Sequence, residues 1–220
     1  MKRYLLTLGV LLLAGVASRP ALADTFFLFG TNDSSSLPCS GVKPCAEVTV
    51  TTSGNQATFT VSSLLSGWVF DKFGFNFNGA GALSLFSSGG EVSSPSLDTG
   101  GGNEDGWGSF TDTFNTGKNG GSDGGDCVVT LGVPGAGCTF TFTLQDSLPG
   151  TLNVSSFEIS SSGGTGSGDF AGHMASNSKS GFAGDPLPSG TSPVPEPSSL
   201  MLLGTGALTL AGVIRRRFGR

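Results

Sequence analysis

Residues able to do chemistry are most concentrated in one loop, Asp98-Thr99-Gly100-Gly101-Gly102-Asn103-Glu104-Asp105-Gly106-Trp107. Hard oxygen ligands at Asp98, Asn103 and Asp105 are of the kind calcium takes, although the order is not that of an EF-hand. Trp107 beside Asp98, Glu104 and Asp105 has the composition of a sugar-stacking site with polar flanks. Glu104 with Asp98 or Asp105 would also supply the two carboxyls of a glycosidase. Nothing around them is apolar enough to raise a pKa, so that reading is set aside. His173 is the sole histidine, and no Gly-x-Ser-x-Gly elbow accompanies it. It reads as a structural or surface residue. No catalytic constellation emerges, and the expectation is a non-enzyme without a resident cofactor or metal, with calcium at Asp98, Asn103 and Asp105 as the one exception to test.

The elements that would position this loop follow a period of two. Val48 and Val50 alternate with threonines, as do Ala57, Phe59 and Val61. Phe73, Phe75 and Phe77 form another such set, and Phe140, Phe142 and Leu144 a fourth. Alternation of this kind buries one strand face and wets the other. Further strands are predicted at Thr25–Gly30, Leu83–Ser87, Ser109–Phe114, Cys127–Leu131, Val154–Ser160 and Phe170–Met174, with Gly- and Ser-rich turns between them. The segments 94–106, 117–126 and 176–193 are expected to lie outside the sheets. The fold class is therefore all-β, an antiparallel β-sandwich or jelly-roll-like domain over residues 24–175. Sixteen of the seventeen phenylalanines fall within the body and supply its core.

Four lysines, no arginine and fifteen acids leave the body near −11, whereas the whole chain stands at −5. Such a surface argues against nucleic acid and anionic lipid as partners. Four cysteines allow three connectivities. The local pairs Cys39–Cys45 and Cys127–Cys138 are favoured because both enclose turn-rich segments. A four-cysteine zinc site is disfavoured by the spacings and by an oxidising compartment.

Both ends of the chain read as targeting segments. Met1-Lys2-Arg3, an apolar run and Ala21-Leu22-Ala23 have the layout of a signal peptide over residues 1–23, cleaved before Asp24. A Ser/Gly/Pro linker at 176–193 leads to Pro195-Glu196-Pro197, which stays extended and reachable. The apolar run 200–214 follows, and then Arg215-Arg216-Arg217 holds its end in the cytoplasm. As a helix the run rises about 22 Å at 1.5 Å per residue, short of a hydrocarbon core of about 30 Å. It is predicted to be a single transmembrane helix of marginal length, suited to brief retention.

This order of parts resembles the PEP-CTERM sorting signal of Gram-negative bacteria that make extracellular polysaccharide. The resemblance implies recognition of Pro195, Glu196 and Pro197 by exosortase, a helix at 200–214 and a stop signal at Arg215, Arg216 and Arg217. It covers residues 194–220 only, and sorting signals are shared by bodies of unrelated function. The implied partners are signal peptidase and exosortase, with the inner membrane as a transient stop and extracellular polysaccharide as a further contact. The expected function is an exported cell-surface or matrix protein with a structural or interaction role. The alternative is a calcium-assisted carbohydrate-binding module, discriminated by whether Trp107 is exposed beside the acidic loop.

Overall fold

The computed structural model describes residues 22–30, 37–39, 43–104, 106–118, 138–150, 152–164, 166–176 and 179–185. Twelve strands lie among them, namely β1 (Leu22–Gly30), β2 (Ala46–Ser53), β3 (Gln56–Ser63), β4 (Val69–Phe75), β5 (Leu83–Gly90), β6 (Ser96–Asp98), β7 (Gly102–Glu104), β8 (Gly108–Phe110), β9 (Asp112–Asn115), β10 (Thr139–Asp146), β11 (Phe170–Ser176) and β12 (Lys179–Gly184). Where alternation is cleanest, burial follows it residue by residue. Phe140, Phe142 and Leu144 point inward from β10 while Thr139, Thr141 and Thr143 point outward, and β2 and β3 repeat the arrangement. At the β2–β3 hairpin Gly54 takes a φ of 60°, which a side chain would resist.

Ten strands form one antiparallel sheet in the order β5-β10-β3-β2-β1-β12-β11-β4-β9-β6, and β7 and β8 make a separate hairpin. β1 is the seam. It pairs with β2 from Leu22 to Leu28, and then with β12 through Phe29 and Gly30. About this seam the sheet folds face to face, with β5-β10-β3-β2-β1 on one side and β12-β11-β4-β9-β6 on the other. The two free ends come close together. Glu91 N–H donates to Thr139 O, and Ser93 and Ser94 N–H both donate to Thr116 O, so the chain joining β5 to β6 bridges the remaining gap. A sandwich of separate sheets was expected; the fold is instead a single sheet nearly closed on itself.

Phenylalanines fill the space between the halves. The Phe59 ring stacks on Phe142 at 4.7 Å and meets Phe157 edge-on at 5.1 Å, with Phe75 at 5.4 Å, Phe170 at 6.1 Å and Phe73 at 6.3 Å. Phe114 lies against Phe142 at 4.2 Å. Offset and edge-on contacts of this kind add to the gain from burial alone.

Three sequence expectations need correction. Val154–Ser156 is a 3-10 turn where a strand was predicted; Val154 and Phe157 are the buried positions, a spacing of three rather than two. Residues 94–106 contain β6 and β7. The linker expected from residue 176 instead contains β12, held between β11 and the end of β1, and the body runs to at least Asp185. Alternation there is carried by glycine, serine and alanine, which leave little hydrophobic signal.

Cys39 and Cys45 are disulfide-bonded, with Cα atoms 5.4 Å apart. Cys138 is also disulfide-bonded, and its expected partner Cys127 lies outside the described residues. The cleavage signal at Ala21 and Ala23 falls at the edge of the described residues. Cleavage after Ala23 would remove the first two residues of β1. Among the described residues no helix is long and apolar enough to cross a membrane, and the run at 200–214 lies outside them.

Replacing Phe59 by alanine should cost about 3–5 kcal/mol of unfolding free energy, measured by denaturant titration. A loss below 1 kcal/mol would mean that this ring is not the centre of the core.

Candidate functional site

The most chemically loaded place on the body begins with an irregularity in β4. Phe70 and Phe73 are both buried, yet they stand three positions apart, a spacing a regular strand cannot bury on one face. The β4–β11 register resolves the conflict. Lys72 pairs with His173 and Phe70 with Met174, which leaves Asp71 as an extra residue. This β-bulge puts Asp71 and Lys72 on the same outward face, each half-buried. Thr116 clamps it. Its N–H donates to Asp71 O at 3.0 Å, and its hydroxyl donates to Phe70 O at 2.8 Å.

Both half-buried charges find partners on neighbouring elements. The Asp71 carboxylate receives His173 Nδ1 at 2.7 and 2.8 Å. That hydrogen bond, and the nearby negative charges of Asp71 and Glu104, hold the imidazole pKa above its ordinary range, outweighing burial. Nδ1 is thereby the donor, and Nε2 is the nitrogen left to exchange a proton. Lys72 Nζ sits 2.9 Å from Glu104 Oε1 and donates to Asn103 O at 3.3 Å. Glu104 is fully buried, and burial raises its pKa, with Lys72 opposing the shift. Neither of its oxygens accepts a well-formed hydrogen bond.

Asp71, Lys72 and His173 border an open cleft of about 400 Å³, completed by Asn115, Lys118 and Phe182, with Glu104 buried behind Lys72. Lys118 is paired with Glu91 at 3.3 Å. Around the cleft three acids face two lysines and one histidine, so with His173 protonated the charges cancel. Chemically this is a His–Asp pair able to hold or pass a proton at Nε2. Among the described residues no serine, threonine or cysteine bonds to it as a nucleophile would.

The Lys72–Glu104 pair also ties down the β7–β8 hairpin, which lies across the outside of β4, β11 and β12. Trp107 and Phe110 from the hairpin pack with Ala171 and Phe182 into a second small core. A Cβ at Gly184 would fall 2.2 Å from the Trp107 ring, and one at Gly74 would fall 3.0 Å from Phe110, so both strands must present glycine there. Ser161 Oγ donates to Trp107 O, and Ser109 bridges to Ser162.

This arrangement buries the two side chains on which the loop reading leaned most, Trp107 and Glu104. Trp107 is only 6% exposed and offers no stacking face, although its Nε1 has no hydrogen-bond partner. Glu104 is buried in an ion pair. Asp98 is exposed at the end of β6, its Oδ1 accepting the N–H of Gly100 at 2.8 Å, while Asn103 stands in β7 opposite Ser109. Asp105 lies outside the described residues. Asp98, Glu104 and Trp107 are therefore not gathered into a site, and among the described residues no group of three His, Cys, Asp or Glu side chains is placed to hold a metal. Asp71, Lys72 and Asn115 were missed by sequence reasoning, yet a signal was present: two adjacent charges inside Val69-Phe70-Asp71-Lys72-Phe73 break the period of two, as a bulge requires.

A second cluster is purely acidic. Burial, and then the charges of Asp169 and Glu158, push Asp185 up to about 7. Burial also raises Glu158 and Asp169, with Asp24 adding to Glu158.

The sorting motif Pro195, Glu196, Pro197 and the arginines 215–217 lie outside the described residues. The comparison that bears on them is a match over residues 193–217 to the PEP-CTERM protein-sorting motif. No curated protein and no solved structure matches the chain significantly.

Two outcomes follow from these geometries. Lys72→Met, which strands the buried Glu104, should cost roughly 3 kcal/mol in denaturant titration, and Glu104→Gln on that background should restore part of it. No recovery in the double variant would refute the pairing. For pH, an acid whose folded pKa is raised stabilises the fold only when protonated. The Asp185 contribution is complete below its ordinary value of 3.8 and is lost as pH rises to about 7. His173, also raised, contributes below its ordinary 6.5 and loses that contribution as pH climbs through its folded value. Both make the body more stable at pH 5 than at pH 8, by several degrees in Tm. Asp185→Asn should flatten the dependence, and a higher Tm at pH 8 than at pH 5 would contradict it.

The fold and the tail are thus separate statements about one chain: an all-β body with a bulge-built charge cluster, joined to the PEP-CTERM sorting motif that marks an exosortase-processed, exported protein.

Proposed function

We propose that this chain is a cell-surface or extracellular-matrix protein that acts by contact rather than by catalysis. In this reading the body is delivered by signal peptidase at one end and exosortase at the other, and serves a structural or interaction role in the exopolysaccharide layer. The observation that carries the reading is the sorting motif at 193–217. The body supports it in two ways. The His173–Asp71 pair sits among internally cancelling charges, with no nucleophile bonded to it among the described residues, and it fastens β11 to β4 while Lys72–Glu104 fastens the hairpin. A net charge near −11 keeps an exported domain soluble and away from nucleic acid and anionic lipid.

A calcium-assisted sugar site on the Asp98–Trp107 loop is not retained, since the stacking ring it needs is covered.

The test is intact mass of the protein from membranes and from culture medium, with Pro195-Glu196-Pro197 intact or changed to alanines. The expected result is a species beginning at Asp24 and lacking the tail, formed only from the intact motif. A full-length C-terminus that stays in membranes with either sequence would overturn the proposal.

A further inference from the structure

The two outer faces of the folded sheet are unlike. One lies under the β7–β8 hairpin, with Trp107 and Phe110 sealed against it. The other, formed by β1, β2, β3, β10 and β5, carries rows of hydroxyls. Strand register aligns Thr25, Thr49, Thr60 and Thr141 in one rank and Thr51, Thr58, Thr143 and Ser87 in the next, with Ser62 and Thr139 beginning a third. Neighbours within the ranks are joined hydroxyl to hydroxyl, Thr25 to Thr49 at 3.3 Å, Thr58 to Thr143 at 3.0 Å and Ser62 to Thr139 at 2.9 Å. Each bonded hydroxyl keeps further donor or acceptor capacity. A Cβ at Gly89 would lie 3.5 Å from Thr141 Oγ1, so glycine leaves that hydroxyl uncovered at the β5 side.

Charge is nearly absent here. In a body near −11, Glu47 is the one acid on these ranks, opposite Ser62. Two of the three exposed large hydrophobic residues among the described residues border the field on opposite sides. Phe27 of β1 is 43% exposed, and Phe86 of β5 is 60% exposed. Phe86 is the extra residue of a bulge in the β5–β10 pairing, beside Ser87. Five strands spaced about 4.8 Å apart make this a continuous surface about 19 Å across.

We propose that this face is an interaction surface for a neutral polyhydroxylated polymer, an uncharged glycan chain, lying across the threonine ranks with Phe27 and Phe86 at its margins. Rows of hydroxyls both donate to and accept from sugar hydroxyls, and the bordering rings offer apolar surface to the C–H faces of sugar rings. Charge matching favours an uncharged polymer, because the surrounding acids would repel a uronate-rich one. The inference rests on the matrix reading above and names its partner class and surface.

The test is co-sedimentation of the full chain, expressed with its own leader and tail, with amorphous cellulose as the neutral probe and insoluble calcium alginate as the acidic one. Binding to cellulose should exceed binding to alginate. The triple variant Thr58→Val, Thr60→Val, Thr141→Val should lose at least tenfold in cellulose affinity with its circular dichroism unchanged. A second variant, Phe27→Ser with Phe86→Ser, leaves the ranks intact and should weaken binding by a smaller factor. Equal or stronger binding to alginate, binding that survives the triple substitution, or no binding to either polymer would overturn the proposal. So would concentration-dependent self-association abolished by the same variants, which would make the face a contact between copies. Correct tail processing with no glycan binding would sink this inference and leave the sorting-based reading standing.

Discussion

Everything in the body depends on Phe59 and the rings around it, because they are what holds a folded sheet shut. The sheet has one seam, at β1, where only Phe29 and Gly30 pair with β12. Two residues of backbone pairing could not keep ten strands face to face. The aromatic layer does so from inside, joining Phe59 and Phe142 of one half to Phe73, Phe75, Phe114 and Phe170 of the other. Glycine-rich connections raise the entropy cost of folding, and large rings offset it with the most apolar area per residue ordered.

That same requirement produces the polar cluster. To send both Phe70 and Phe73 into the core, β4 must absorb an extra residue, and the bulge that does so turns Asp71 and Lys72 outward together. His173 and Glu104 then answer those two charges, from β11 and from the β7–β8 hairpin. The charged site is thus a consequence of how the core is packed. Its Lys72–Glu104 pair holds the hairpin whose Trp107 covers one side of the sheet, while the other side carries the threonine ranks.

Much of this could be read from the residues. Thr-x-Thr and Phe-x-Phe alternation located β2, β3 and β10 and assigned their faces, since side chains on a strand can only alternate. The cysteine spacing pointed to Cys39–Cys45. The hairpin was illegible for a physical reason: Gly-Asn-Glu-Asp-Gly is locally a polar loop, and only a partner strand offering glycine at 74 and 184 lets Trp107 and Phe110 bury beside it. β12 was hidden in the same way, its inward positions being too small to register as hydrophobic.

By itself the sequence determined the class of fold, the local Cys39–Cys45 pairing, the acidic composition and the sorting tail, because each follows from local pattern or composition and survives any arrangement of the strands. Tertiary structure alone decided that the sheet is nearly continuous, that Trp107 is inside and Asp71 outside, and that Glu104 spends its charge on Lys72. Those outcomes turn on register and on which surfaces meet, and a one-residue shift reverses the face a side chain occupies.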